Sequence, residues 1–217
     1  MPRLFTRPVV LCATLLFITA IPILVALVRL VQIPTGTLPL ESLRFAEVPV
    51  RHFAHAAAGA IFALAGPLQF AGVLSRRFGR LHRWTGRAFG IAGLFLGLSG
   101  LGLLAEFPTI ATLPLQVTRG LAGVALIAAL GLGIRAAIQR RIPAHRAWMI
   151  RAYAIGIGST TISLVVLPLL AVGITLEGAP FDLTFVATWI ATVTVGELVI
   201  RRTRKPARAP MPAAVAA

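Results

Sequence analysis

Residues 76–87 read RRFGRLHRWTGR, and residues 88–107 read AFGIAGLFLGLSGLGLLAEF. The first stretch packs in Arg76, Arg77, Arg80, Arg83 and Arg87; the second has Glu106 as its sole charge. A basic stretch that gives way abruptly to apolar sequence long enough to cross hydrocarbon is the pattern of a membrane segment with its flank. The same pattern repeats in both directions. Six stretches, at about 9–31, 52–73, 88–107, 118–138, 149–172 and 183–200, are mostly apolar over the length a spanning helix needs. The sequence therefore predicts an all-α, polytopic membrane helical bundle with six transmembrane helices.

Composition agrees. The 217 residues are 58% hydrophobic, with six acidic residues against 21 lysines and arginines and a formal net charge of +15. Mean hydropathy is +0.90. A soluble protein this basic would invite nucleic acid, but here the charge is confined to the edges of apolar segments. There it sets topology and meets anionic lipid headgroups, so no nucleic-acid partner is expected. The lone cysteine, Cys12, lies inside the first apolar run and reads as a small packing residue.

Orientation follows from the arginines. Arg3 and Arg7 precede the first span; five lie between spans 2 and 3; Arg135, Arg140, Arg141, Arg146 and Arg151 join spans 4 and 5; Arg201, Arg202, Arg204, Lys205 and Arg208 follow the last. The opposite side holds Arg29, Arg44, Arg51 and Arg119 together with most of the carboxylates. The positive-inside rule then puts both termini in the cytoplasm. The first span reads as a retained signal anchor, because its apolar core is too long for a cleaved leader. Residues 1–208 are expected to form one six-span domain with a core at 50–173 made of two helical hairpins. The Ala- and Pro-rich tail 209–217 is expected to be disordered on the cytoplasmic side. The outer loop 32–50, with Pro34, Gly36, Pro39 and Pro49, is expected to be an irregular cap.

Two of the basic stretches are near copies. Arg76-Arg77 and His82-Arg83-Trp84 are echoed by Arg140-Arg141 and His145-Arg146-Ala147-Trp148, and each copy ends on an arginine about one turn into its span, Arg87 and Arg151. His82 and His145 should then lie at matching depth. Glycines 86, 90, 93, 97 and 100 form a small-residue face on span 3 that should pack closely on span 2. Pro67 should kink span 2.

Four motifs together point to a family: His52 and His55 opening a span, Gly66-Pro67-Leu68-Gln69-Phe70, His82-Arg83-Trp84 with Gly86-Arg87, and His145-Arg146 with Trp148-Met149-Ile150-Arg151 and Tyr153. Over roughly residues 50–170 the chain resembles the predicted bacterial membrane proteins numbered 2306 in the domain-of-unknown-function series. The resemblance implies a prokaryotic plasma (inner) membrane location and carries no activity with it.

Chemistry must come from polar groups at the membrane, where ionisable residues are costly. Neutral imidazole ligates haem iron or a transition metal. His82 and His145, from different spans on one side, form a candidate axial pair for haem b. Trp84 and Trp148 would wall the porphyrin, and Arg83, Arg87, Arg146 or Arg151 would bind its propionates. Such a protein would pass electrons to or from a quinone or a soluble partner. His52 and His55, three apart on one helix, cannot both be axial ligands of one haem and are instead candidates for a metal. The alternative function is a non-enzymatic membrane protein that binds or moves a small hydrophobic or anionic ligand at the arginine-rich rim. Glu197 is read first as half of an ion pair, with Arg201 or with Arg135 or Arg151, and Gln69 as a contact between helices. Paired carboxylates, a phosphate-cradling glycine loop and a nucleophile constellation are all missing from the sequence, which excludes soluble-type hydrolytic chemistry.

Overall fold

The computed structural model describes residues 3–70, 77–107 and 111–203, with side chains from Val10 onward except at Glu41. Arg76, the 204–208 cluster and the 209–217 tail lie outside the described residues. The described chain is built of helices: α1 (Arg3–Thr35), a 3₁₀ segment (Leu40–Glu47), α2 (Pro49–Phe70), α3 (Gly79–Glu106), α4 (Leu113–Ile138), α5 (Ile142–Gly158), α6 (Ser163–Ala171) and α7 (Gly178–Thr203). Six stretches are long and apolar enough to cross a membrane, with α5 and α6 forming one of them, Ile142–Ala171. The chain is a six-span, all-helical membrane protein. The end that carries the arginine clusters is called the basic end below, and the end under the 3₁₀ segment the capped end.

The helices start earlier than hydropathy suggests. Helix α3 begins at Gly79 rather than near 88, and α5 at Ile142 rather than near 149. Apolar composition marks where hydrocarbon begins, whereas backbone hydrogen bonding continues into the headgroup layer. The two copied motifs thus ride on the first turns of helices. At the other end the cap is more regular than its prolines imply: α1 runs on to Thr35, and the 3₁₀ segment is tied down by Arg29, whose Nη2 donates to Ser42 Oγ at 2.9 Å.

Helices α2, α3, α4 and α5 surround the interior; α1 lies against α2 and α7 against α5. The closest packing joins α2 to α3, while α3 and α5 meet mainly through side chains. The interior is aromatic. Phe62 of α2 stacks on Phe89 of α3 with ring centroids 4.4 Å apart, and Tyr153 of α5 lies 5.9 Å from Phe62 and 5.3 Å from Phe70. Small residues make room for these rings. A Cβ at Gly66 or at Gly156 would run into Tyr153 or Phe62 respectively, so both positions let a ring lie flat against a helix backbone. The glycine face of α3 is divided between neighbours: Gly86 and Gly100 face Gln69 and His55 of α2, Gly97 faces Ile127 and Gly123 of α4, and Gly90 faces open space.

Span 5 is broken at residues 159–162, between α5 and α6. The indole of Trp189 on α7 fills the space where a Cβ on Gly158 would be, and its Nε1 donates to the Ile155 carbonyl at 2.8 Å. Carbonyls at a helix break in hydrocarbon need partners. Thr160, Thr161 and Ser163 supply them, with hydroxyls donating to the carbonyls of Ile157, Gly158 and Thr160 at 2.7, 2.8 and 2.7 Å. Thr161 and Thr192 also meet hydroxyl to hydroxyl at 2.9 Å, joining span 5 to α7. The hydroxyls of Thr160, Thr161, Ser163 and Thr192 are accordingly tied up in bonds within and between helices.

Candidate functional site

At the basic end the two sequence copies become two matching helix starts. His82 is the fourth residue of α3, counted from Gly79, and His145 the fourth of α5, counted from Ile142. Their backbone amides make equivalent first-turn bonds, to Phe78 at 3.0 Å and to Arg141 at 2.9 Å. One turn further on, each arginine lies over its tryptophan: Arg87 over Trp84 at 5.2 Å and Arg151 over Trp148 at 4.7 Å. The copied sequence thus folds into copied local structure.

The two histidines lie at the starts of α3 and α5, helices that meet across the interior. His145 Nδ1 is 2.8 Å from the Gly133 carbonyl of α4. A carbonyl only accepts, so in the neutral ring Nδ1 carries the proton and Nε2 keeps its lone pair. Gly133 makes this contact reachable, because a Cβ there would collide with Met149 and crowd Trp148. His82 differs: its Nδ1 is buried and has no hydrogen-bond partner. A buried polar atom without a partner is costly unless something else satisfies it.

The arginines divide into two groups. Arg83, Arg87 and Arg146 are exposed, whereas Arg151 is half-buried and holds Glu197 of α7 through Nε to Oε1 at 2.5 Å and Nη2 to Oε2 at 3.0 Å. Glu197 therefore pairs across helices with Arg151, one of the partners expected for it. Gln69 Nε2 donates to Thr85 Oγ1 at 2.6 Å, so the helix-contact reading of Gln69 holds. The exposed Trp84 forms one side of a shallow groove of about 530 Å³ lined also by Arg77, Phe78, Gly79, Arg80 and Leu81.

At the capped end His55 Nδ1 lies 3.0 Å from Ser99 Oγ, which itself donates to the Phe95 carbonyl, so the imidazole is the donor to Ser99. His52 lies against Phe45 of the cap at 4.8 Å, and its Nδ1 is buried without a partner. Among the described residues no group of three or more His, Cys, Asp or Glu side chains is placed to hold a metal, so His52 and His55 stand as a pair without a third such ligand.

One feature escaped the sequence, the cap made by Asp182. Asp182 of α7 is buried, and its Oδ2 accepts from the Thr112 amide at 2.6 Å, capping α4 from another helix. Tyr153 is buried at the centre of the aromatic interior, close to Thr19 of α1. Asp182 sits 70 positions from Thr112, and no local pattern announces so distant a cap.

No curated protein and no solved structure matches this chain. A family model does: the one described as predicted membrane protein (DUF2306) matches residues 52–200, which takes in α2 to α7 and every motif built above. The chain belongs to the DUF2306 family of predicted membrane proteins.

Proposed function

We propose that this protein is an electron-transfer protein of a prokaryotic plasma membrane, with both termini cytoplasmic, and that it holds one haem b at its basic end between His82 and His145. The observation that carries the reading is the histidine pair itself. The two imidazoles occupy the same position on two facing helices, one with its Nε2 lone pair freed by the Gly133 carbonyl and the other with a buried nitrogen that has no partner. A carbonyl that receives the far N–H is the usual support of a ligating histidine.

When bound, haem supplies a one-electron couple. The chain's own groups would place it. The Phe62, Phe89 and Tyr153 layer fills the interior below and keeps any planar group at the basic end. Arg83 and Arg146 are exposed and suited to propionates, whereas Arg151 is already committed to Glu197 and helps to fix α5 on α7. Electrons would pass to a quinone or a soluble partner, and the same rim would rest on anionic headgroups of the bilayer. A second reading, binding or transfer of a small anionic or hydrophobic ligand at the rim, is favoured by the groove beside Arg77, Arg80 and Trp84.

The test is an absorbance spectrum of the purified protein, expressed with adequate haem supply and recorded oxidised and then dithionite-reduced. The proposal expects a stoichiometric Soret band and a sharp reduced α band, both lost in His82→Ala and in His145→Ala. A folded, colourless protein overturns it and leaves the rim-ligand reading.

A further inference from the structure

The two copied motifs meet different surroundings. On α5 the stack of Arg151 over Trp148 is closed by α7: Nε and Nη2 of Arg151 both donate to the Glu197 carboxylate. The helix surface beyond that pair is covered too, with Gly196 against Ala154 and Trp189 against Ile155 and Gly158. On α3 the matching stack of Arg87 over Trp84 has no such cover. Trp84 is 60% exposed, and Arg87 is exposed with it.

Helix α3 packs on α2, α4 and α5, which leaves one face open. Arg80, Trp84, Arg87, Ile91, Phe95 and Leu98 recur at spacings of four and three, so they share that face, and every one of them is exposed. The face is cationic at the basic end and apolar from Ile91 onward. At about 1.5 Å per residue, Arg87 to Leu98 spans about 16 Å, the depth of one leaflet in a hydrocarbon core about 30 Å thick. The shallow groove at the start of the helix places Arg77 beside Arg80 and Trp84, and Arg83 Nη1 lies close to Gly79 in its wall.

The chain has little negative charge to offer these arginines. Glu41, Glu47, Glu106, Glu177 and Asp182 belong to the capped end, Glu197 is held by Arg151, and residues 71–76, which precede Arg77, contain no acid. Arg87 thus repeats the position of Arg151 without its carboxylate. What fits the open face is an anionic group at the membrane boundary carried on an apolar body about one leaflet long. A second copy of the chain fits poorly, because a two-fold contact between parallel copies would set Arg80 and Arg87 against their own equivalents.

We propose that this face of α3 binds an anionic phospholipid, which takes the place on α3 that α7 takes on α5. Its phosphate meets Arg80 and Arg87 beside Trp84, and an acyl chain lies along Ile91, Phe95 and Leu98. The site rests on the rim-ligand reading above, whose ligand it names, and stands whether or not haem binds.

The test uses the full chain in dodecyl maltoside, titrated with dioleoyl phosphatidylglycerol or dioleoyl phosphatidylcholine, with bound lipid counted by native mass spectrometry and melting temperature followed in parallel. Phosphatidylglycerol is expected to bind saturably, at least about tenfold more tightly than phosphatidylcholine, and to raise the melting temperature. Arg80→Gln and Arg87→Gln should each weaken it about fivefold to tenfold, whereas Arg141→Gln, at an exposed arginine of the same end, should leave it unchanged. Equal retention of the two lipids, an equal loss in Arg141→Gln, or wild-type titration of both Arg80→Gln and Arg87→Gln overturns the proposal, as does a dimer that forms in place of the lipid adduct. Dodecyl phosphate separates the site from the reading beneath it. If it stabilises the wild type but not Arg87→Gln while phosphatidylglycerol shows no preference, the lipid is overturned and the rim remains a ligand site; indifference to both overturns the rim reading as well.

Discussion

The two ends of the bundle are assembled from the same parts. Each has two histidines, one with its proton directed onto a neighbouring oxygen (His145 to Gly133, His55 to Ser99) and one with a buried Nδ1 that has no partner (His82 and His52). Each also has one arginine–carboxylate pair joining two helices, Arg151–Glu197 at the basic end and Arg51–Glu106 at the capped end. The difference lies in placement. At the basic end the histidines come from the starts of two different helices, α3 and α5. At the capped end they are three residues apart on a single helix, α2, and the arginines of that end come from α2 and three other elements: Arg51 from α2, Arg29 from α1, Arg44 from the 3₁₀ segment and Arg119 from α4. Identical residue types thus sit on two different helices in one place and on a single helix in the other, and backbone topology decides which.

The ion pairs differ in environment as well. The side chains of Arg151 and Glu197 are 26% and 34% exposed, those of Arg51 and Glu106 42% and 45%. Attraction between charges grows as water is withdrawn, and so does the penalty for stranding one of them. The most severe way to break the parallel is therefore Glu197→Ala, which leaves the Arg151 guanidinium over Trp148 without its carboxylate. It should destabilise the protein by about 2–3 kcal/mol, below the cost at a fully buried pair because water reaches part of the site. Reversible unfolding in bicelles would measure this, and a loss under about 0.5 kcal/mol would show that the pair is no more structural than an exposed one.

Asp182→Ala comes next. It removes the carboxylate that caps the Thr112 amide at 2.6 Å and leaves a positive excess around Arg119, so a loss of about 1–2 kcal/mol is expected. Thermal unfolding of the purified protein would measure it, and a loss under about 0.5 kcal/mol would show that this carboxylate does not hold the start of α4. The smallest effect is predicted for Glu106→Gln, which should cost less than about 1 kcal/mol and lose most of that difference at high salt. A cost equal to that of Glu197→Ala would erase the distinction drawn here between the two ends.

Much of the basic end was legible because its signals are local. The arginine and tryptophan spacings lie within single helix starts, and two copies of one short motif fold into two copies of one turn, with Trp84–Arg87 and Trp148–Arg151 stacked alike. The capped end was read as an irregular loop with a pair of histidines. Its character depends on Arg29, Phe45, Phe107, Thr112 and Asp182, which meet only after α1, α2, α3, α4 and α7 have packed, and no sequence spacing encodes their proximity. The break in span 5 was missed for a related reason: Gly158 and the threonines after it are ordinary in a membrane helix until Trp189 of α7 is placed against them.

The sequence by itself determined the all-helical class, the six apolar spans and the matching places of His82 and His145 near the starts of their helices. These rest on hydrocarbon thickness, the cost of charge in lipid and the helical repeat, all of which act over a few turns of one segment. Only the tertiary structure decided that Arg151 takes Glu197, that Arg51 takes Glu106, that Gly133 sets the tautomer of His145 and that Asp182 caps a helix 70 residues away. Those are contacts between helices. In a bundle where every segment is apolar, they are settled by which small residues let which backbones approach, a choice that a linear pattern of hydropathy does not contain.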